Sequence, residues 1–481
     1  MAELAKKNEK SSTSYIIHVI IMLALQFLFG FLPPLGGLPV TGMKVIGAFA
    51  GTIYGWVFVG LGISNVFGLV ALAMSGYTNI NGVIQTSFGN STVGLIIVLF
   101  LITAYIEHEN LHTAIVNYLL SRKFLRNRPW MFILFFLLAV VIVDIASQQW
   151  VCILFFISLI RDMCEKTGMK PKSKESSALM HMMVITAFIG SYCMAFKDQP
   201  VSRIAVYTAA TGKTVDALQY TLFALPLCVV LILGVYLVAR YILRIDFSCL
   251  GDIDVVDATK VGLDKKQKTA VKFLIALAVA MLLPSFVPVS FPVIGTLGST
   301  GCAFLILALL LVWRQDGEQV TTLKEIGKYV NWNVLIQVAT LMALITALTS
   351  KNVGLTTLVS SKLSGLMSLA PFPFVFVVCI LSGLLSQFLT IGPCDSVFVS
   401  GLCVMAKVLP AGIDMGGLTV LLAITTSAAI WMPSCTSAVA MIYGETDIVE
   451  FKYLFKYGFV QTLVALVLCG TVGYLLLRIV F

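Results

Sequence analysis

Two apolar runs, 130–160 and 371–409, are too long for one crossing and carry polar residues where the middle of a bilayer would fall. The first centres on Asp144-Ile145-Ala146-Ser147-Gln148-Gln149-Trp150. The second centres on Thr390-Ile391-Gly392-Pro393-Cys394-Asp395-Ser396. Each is followed by another apolar stretch with a polar break, Lys197-Asp198-Gln199-Pro200 in one half and Pro433-Ser434-Cys435-Thr436-Ser437 in the other. Hydrocarbon offers no partner to a free N–H or C=O, so broken backbone persists at membrane depth only where it lines a protein cavity. Matching breaks in two halves are the sequence pattern of a transport site.

Composition supports a membrane setting. Hydrophobic residues make up 59% of the chain and charged residues 11%, with a mean hydropathy of +0.98. Many windows exceed the ~20 residues that a helix needs to cross roughly 30 Å of hydrocarbon. The reading is an all-α polytopic protein of the cell membrane, with the lipid bilayer as its main surroundings. The net charge of +9 sits in short loops and is not interleaved with stacking aromatics. It reads as topology, with no nucleic-acid partner. Eleven cysteines, scattered singly and mostly inside apolar runs, read as packing residues.

Basic clusters flank the first run on both sides: Arg122, Lys123, Arg126 and Arg128 before it, Arg161, Lys166, Lys170, Lys172 and Lys174 after it. The positive-inside rule puts both ends on one face, which makes the run a re-entrant hairpin. One straight helix of that length would overshoot the hydrocarbon. The segments 104–116 and 347–359, each preceding a run, match in length and polarity. The organisation expected is a tail over 1–14, scaffold helices over 15–92, and a first repeat over 93–244 with hairpin 130–160 and broken helix 178–210. A charged linker over 245–268 and scaffold helices over 269–330 follow. A second repeat of inverted topology then covers 331–481, with hairpin 371–409 and broken helix 416–443.

The arrangement resembles the divalent anion:sodium symporters of the ion-transporter superfamily. The stretch from Trp431 through Thr436 to Gly444, continuing to Gly458, is similar to that family's proline- and threonine-bearing break and final helix. Ile189 to Pro200 is similar to the equivalent break in the first half. The chain departs from the family's Ser-Asn-Thr tips, showing Ser147-Gln148-Gln149 in one half and Ile391-Gly392-Pro393 in the other. The resemblance implies a homodimer that moves a small di- or tricarboxylate, or sulfate, by an elevator-like motion. Sodium is the family's coupling ion, with a site expected near Ser147; proton coupling and exchange are the alternatives, and no other cofactor is implied. The substrate contacts implied are Ser147, Gln148, Gln149, Pro200, Gly392, Pro393, Ser434 and Thr436.

Physical chemistry assigns the tips further roles. A helix that starts at a tip points free N–H groups and a positive dipole at the cavity, which suits an anion. Ser147, Gln148 and Gln149 are placed to cap that start and to hydrogen-bond an oxyanion. At the second tip Pro393 reads as the first helical position and Asp395 as a first-turn acid, either offsetting the dipole or titrating. A charge at the bilayer centre costs on the order of 3 kcal/mol, so Lys197 and Asp198 are expected to pair with each other, with Arg203 or with Asp144. The sharper expectation is that Lys197 supplies a fixed positive charge where relatives bind sodium.

His108-Glu109-Asn110-Leu111-His112 matches the HExxH zinc signature, which needs both histidines on one helical face. No partner motif accompanies it, and His181 is the remaining intramembrane histidine. An intramembrane metalloprotease is therefore the rival from another class, and the chain is read as no enzyme. The glycines of 51–62 read as helix packing, and no Walker-type loop is present.

Overall fold

The computed structural model describes residues 2–250, 262–286, 292–330, 332–355, 370–388, 391–404 and 412–481. Among these the chain is helical apart from loops and two paired two-residue strands at Arg314–Gln315 and Glu318–Gln319. Six helices are long and apolar enough to cross a bilayer, or seven if Leu323–Tyr329 and Trp332–Leu348 count as one bent span. This is an all-helical, multi-pass membrane protein. Thr390 of the second tip and most of the linker, 251–261, lie outside the described residues.

An N-terminal trio forms the first layer: α1 (Ala2–Leu28), α2 (Val40–Phe58) and α3 (Leu61–Met74). Their approach is set by the glycines of α2. A methyl group on Gly51 would stand 2.8 Å from the Gln26 backbone nitrogen and 2.9 Å from the Met22 carbonyl oxygen on α1. Only a hydrogen fits there, as in small-residue packing of membrane helices. The buried Gln26 uses that closeness, donating from Nε2 to Thr52 Oγ1 on α2 and to the Ser64 carbonyl on α3, each at 3.1 Å. The glycine-rich stretch thus packs helices, as the sequence suggests.

After the short α4 (Ile80–Thr86), the first half runs through α5 (Ser91–His108), α6 (Leu111–Leu120), α7 (Pro129–Ala146) and α8 (Gln149–Thr167). It continues with α9 (Lys174–Gly190), α10 (Asp198–Thr211) and α11 (Ala217–Leu237). Then come α12 (Lys265–Phe286), α13 (Pro292–Val312) and α14 (Leu323–Ile326). The second half comprises α15 (Trp332–Leu348), α16 (Pro371–Leu385), α17 (Ile391–Val404), α18 (Met415–Ala428), α19 (Ser437–Gly444), α20 (Phe451–Leu468) and α21 (Tyr474–Val480). The parallels between halves are physical. The pair α7/α8 is interrupted at Ser147-Gln148, and α16 gives way to a turn over Ser386–Phe388 before α17. Each half ends on a long helix that loosens into a π-helical turn, Val238–Ile242 after α11 and Cys469–Gly473 after α20.

Helix faces sort by surroundings. On α11, Leu222, Val229, Leu233 and Leu237 are exposed while Tyr220, Phe223, Leu227 and Leu231 are buried. That gives one apolar stripe to the core and another apolar stripe to lipid, unlike a soluble amphipathic helix. The core runs between the halves. α9 and α10 each pack on α18 there, and α10 also meets α15 and α17.

Candidate functional site

The first interruption lies over 191–197, just before the expected Lys197–Pro200, since Asp198–Pro200 already belong to α10, and the second lies over 429–436; side chains satisfy the unwound backbone of both. Tyr220 on α11 donates to the Tyr192 carbonyl in the first break at 2.8 Å. Tyr443 on α19 donates to the Trp431 carbonyl in the second at 2.6 Å. His181 on α9 bridges the halves, with Nε2 at 2.9 Å from the Ile430 carbonyl and Nδ1 at 2.6 Å from Gln461 Oε1 on α20. Fully buried between those partners, His181 serves the second break. Such pairing is what lets irregular backbone persist inside a membrane protein.

Lys197 is only 2% exposed, and its ammonium group donates to the Asp144 carbonyl at 2.7 Å and the Ser147 carbonyl at 2.6 Å. Those oxygens end α7, where the helix dipole is negative and the Asp144 carbonyl has only a long local donor, Ser147 N at 3.4 Å. Among the described residues the hydrogen bonds of the ammonium run to main-chain oxygens, and the expected pairing with Asp198 falls outside them. The Asp144 carboxylate accepts from Ser191 Oγ at 2.8 Å, and Gln149 Nε2 donates to the same hydroxyl at 3.2 Å. The Asp198 side chain lies outside the described residues. Pro200 sits in the first turn of α10, where no backbone N–H is needed.

The expected capping of α8 needs correction. Ser147 Oγ turns back and donates to the Val143 carbonyl at 2.8 Å. Gln148 Nε2 donates to the Tyr329 carbonyl at 3.0 Å, and the start of α8 carries no side-chain cap. The polar residues of this tip therefore fix α7, Tyr329 and Ser191. The first-turn amides of α8 keep their positive field without a capping oxygen.

At the second tip, α17 starts at Ile391, whose N–H donates to the Cys435 carbonyl at 3.0 Å. Tertiary pairing begins the helix two residues before Pro393, so Asp395 falls beyond the first turn and does not cap it. The backbone of Gly392 and Pro393 lies in this helix; their side-chain surroundings are outside the described residues. The fully buried Asp395 forms an ion pair with Arg203 of α10, with Nε 2.8 Å from Oδ2, and its Oδ1 accepts from Thr426 Oγ1 of α18 at 2.5 Å. Arg203, expected from sequence as a local partner of the adjacent charges Lys197 and Asp198, reaches across to the second half.

Gln387 carries the second tip. Fully buried, it donates from Nε2 to the Ala429 carbonyl at 2.6 Å and accepts at Oε1 from Trp431 N at 3.1 Å and Met432 N at 3.3 Å. Ser434 Oγ returns a bond to the Gln387 carbonyl at 2.5 Å. Ser434 is thus a fastener between the tip and the break. Sequence reasoning passed over Gln387, although a glutamine inside an apolar run was the available signal.

Between the two breaks lies a cavity of about 450 Å³. Gln149, Gln199, Tyr192, Ser202, Arg203, Gln337, Ser427, Thr436 and Ser437 give it a polar lining, with Trp56, Trp150, Phe188 and Leu341 on its apolar walls. Its size is that of a small-molecule site. Arg203 is the only charged side chain among the described residues that line it. Thr436 accepts from the Ala438 and Val439 amides at 3.0 and 3.3 Å, capping α19. Having used its lone pairs there, the hydroxyl retains its proton for an acceptor. A small cavity with a cation, hydroxyl donors and a nearby helix start has the chemistry to accept an oxyanion. Of the expected contacts, it gathers Gln149 and Thr436; Ser147, Gln148 and Lys197 line a smaller neighbouring recess of about 50 Å³.

The HExxH stretch does not form the zinc motif. α5 ends at His108, Asn110 adopts a left-handed conformation at φ 51°, and α6 begins at Leu111. The break puts the two histidines on different helices. His108 is exposed beside Glu109, and His112 packs edge-on against Phe155.

Comparison with known proteins is consistent with this geometry. A family model described as CitMHS, citrate transporter, matches residues 45–427. The crystal structure of the Alcanivorax borkumensis YdaH transporter, which has an unusual topology, is similar with a TM-score of 0.54 at 14% identity. The likeness covers 82% of this chain and 86% of that one and is a likeness of fold. No curated protein matches the chain in sequence.

Proposed function

This chain belongs to the citrate transporter family, and on that premise we propose that it is a secondary active transporter of a small di- or tricarboxylate, with sulfate as the other candidate anion. The family differs in name from the divalent anion:sodium symporters that the motifs resemble; the two agree on anion transport. One observation carries the substrate class: among the described residues, the cavity between the two breaks presents one cation, Arg203, with hydroxyl and amide donors around it. Di- and tricarboxylates offer several oxyanions to such a set, and a guanidinium matches a carboxylate better than a point charge does.

The coupling reading follows from Lys197. Sodium takes oxygen ligands, and helix-terminal carbonyls beside a tip are natural ones. Here those of Asp144 and Ser147 are held by an ammonium group that belongs to the chain. This supports sodium-independent transport, driven by protons or by exchange, in place of the sodium default. The homodimer and the elevator-like motion implied by the resemblance belong to the same proposal.

Uptake by proteoliposomes tests the substrate class. Labelled citrate, succinate and sulfate are offered to the purified protein and to a charge-neutral double variant, Arg203→Gln with Asp395→Asn. The expected result is saturable uptake of a carboxylate, lost in the double variant although it folds. Uptake of none of the three anions, or uptake indifferent to the double substitution, would refute the proposal.

A further inference from the structure

The long helix α11 is bounded by charge at both ends, Asp216 at its N-cap and Arg240 in its closing π-helical turn. Between them runs roughly 35 Å of helix, enough to carry both charges to the edges of a hydrocarbon layer about 30 Å thick. The stripe between them faces lipid: Leu222, Leu225, Val229, Leu233 and Leu237 recur at helical spacing and are all exposed. Arg240 therefore stands at headgroup level, where that stripe ends. Its face is the one that carries the basic clusters, because Trp130, at the start of α7 and just after Arg122–Arg128, lies against it. By the positive-inside rule this is the cytoplasmic face, whose leaflet presents anionic lipid.

Aromatic rings hold the guanidinium. Its central carbon is 5.5 Å from the centre of the Trp130 ring and 5.3 Å from that of Tyr241, and Nη1 donates to the Tyr236 hydroxyl at 2.9 Å. Trp130 is fixed in turn by edge-on contacts with Tyr236 and Phe247, each with ring centres 5.4 Å away. Ring faces attract a cation without cancelling its charge. Tyr236 takes one of the five N–H donors of Arg240, and the exposed guanidinium has the others to offer a ligand. Arg244, four residues on, and Arg128, two before Trp130, are exposed as well. Asp246 follows them in sequence, and its Oδ1 accepts from the Ser248 amide at 2.9 Å.

The fold by itself does not call for this arrangement. The second half ends its long helix α20 in a matching π-helical turn, Cys469–Gly473, with Thr471 in the place of Arg240. That hydroxyl donates within its own helix, to the Val467 carbonyl at 2.6 Å, and no aromatic residue belongs to the turn. The arginine and its rings occur at the turn that ends on the basic face.

We propose that Arg240, set among Trp130, Tyr236 and Tyr241, binds the phosphate of an anionic phospholipid of the cytoplasmic leaflet, with Arg244 and Arg128 flanking the headgroup. A guanidinium meets a phosphate through two parallel N–H···O bonds, and the acyl chains lie along the exposed leucines of α11. The flanking arginines repel a headgroup that carries its own ammonium, so a glycerol headgroup fits better than a choline one. The bound lipid bridges the start of α7 and the end of α11. None of these residues lines the central cavity.

Lipid-dependent melting and lipid retention are the test. The unmodified protein and Arg240→Gln are placed in phosphatidylcholine nanodiscs with and without phosphatidylglycerol. Phosphatidylglycerol is expected to raise the melting midpoint of the unmodified protein and to leave that of Arg240→Gln where it was. Native mass spectrometry of detergent-washed protein should find phosphatidylglycerol retained over phosphatidylcholine, and about fivefold less of it on Arg240→Gln. Lys170→Gln, which removes an exposed charge in the basic segment before α9, should keep both effects. An equal gain in Arg240→Gln overturns the proposal, as does an equal loss in Lys170→Gln, which would mean a response to net charge alone. The same gain from glycerol phosphate added to phosphatidylcholine discs would assign a free phosphate and overturn the lipid. The linker's Asp252, Asp254 and Asp257 are the rival occupants: a response to phosphatidylglycerol that appears only when all three are changed to Asn also overturns it. If Arg240→Gln does not fold, retention by the unmodified protein decides alone, and no preference for phosphatidylglycerol ends the proposal.

Discussion

Replacing Lys197 by alanine is expected to abolish anion uptake and to lower the protein's stability markedly. Its ammonium group bonds the last carbonyls of α7 at 2.6 and 2.7 Å inside the core. Removing it leaves the buried Ser147 carbonyl without its donor, at about 1–3 kcal/mol, leaves the Asp144 carbonyl only the long bond from Ser147 N at 3.4 Å, and removes the charge that offsets the negative end of α7. The tip and the first break would lose the link that fixes their spacing, and uptake should fall about tenfold for each ~1.4 kcal/mol by which the transport barrier rises. A further consequence separates this role from ordinary packing. With the ammonium gone, the freed carbonyls are oxygen ligands for a small cation, so sodium should recover part of the lost thermal stability. Choline at the same ionic strength should not. A Lys197→Ala variant with the uptake and melting behaviour of the parent would show that the lysine does neither job.

Gln387→Leu is expected to be the most destabilising of the size-matched substitutions at the second tip. Leucine fills the volume but offers nothing to the Ala429 carbonyl or to the Trp431 and Met432 amides, all of which the glutamine satisfies. Three unpaired backbone groups at about 1–3 kcal/mol each amount to a loss comparable with the whole stability of many domains. Water cannot substitute for the missing partners without opening the break. Gln387→Glu separates the two sides of the interaction: a carboxylate accepts from the two amides but cannot donate to Ala429. Thermal unfolding in detergent should therefore rank the parent above Glu and Glu above Leu. Equal midpoints for the parent and Leu would mean that the break is held by something other than Gln387.

The sequence reveals the interruptions more readily than their partners. Ser147-Gln148 and the stretch around Pro433 are legible because polar residues inside apolar runs carry a penalty that only an internal cavity relieves. What those residues bind is set by tertiary placement. Lys197 reaches the far end of α7, and Arg203 crosses to the other half, neither of which a local pattern encodes. The start of α17 was misplaced for the same reason: the long-range bond from Ile391 to Cys435 begins the helix before the proline that marks a start locally. The HExxH stretch failed in the opposite direction. Its spacing suits a helix, but Asn110 breaks that helix between the histidines. The notable residue that sequence passed over entirely, Gln387, is polar in an apolar run and so carried the same signal as the tips.

The central claim is that the positive charges of this site, Lys197 and Arg203, belong to the chain, so that carboxylate transport needs no sodium. Uptake of labelled citrate or succinate into proteoliposomes, with sodium wholly replaced by choline and an inward proton gradient imposed, tests it most directly. The expected result is accumulation undiminished by the replacement and lost when the proton gradient is collapsed. Accumulation that requires sodium and ignores the proton gradient would contradict it.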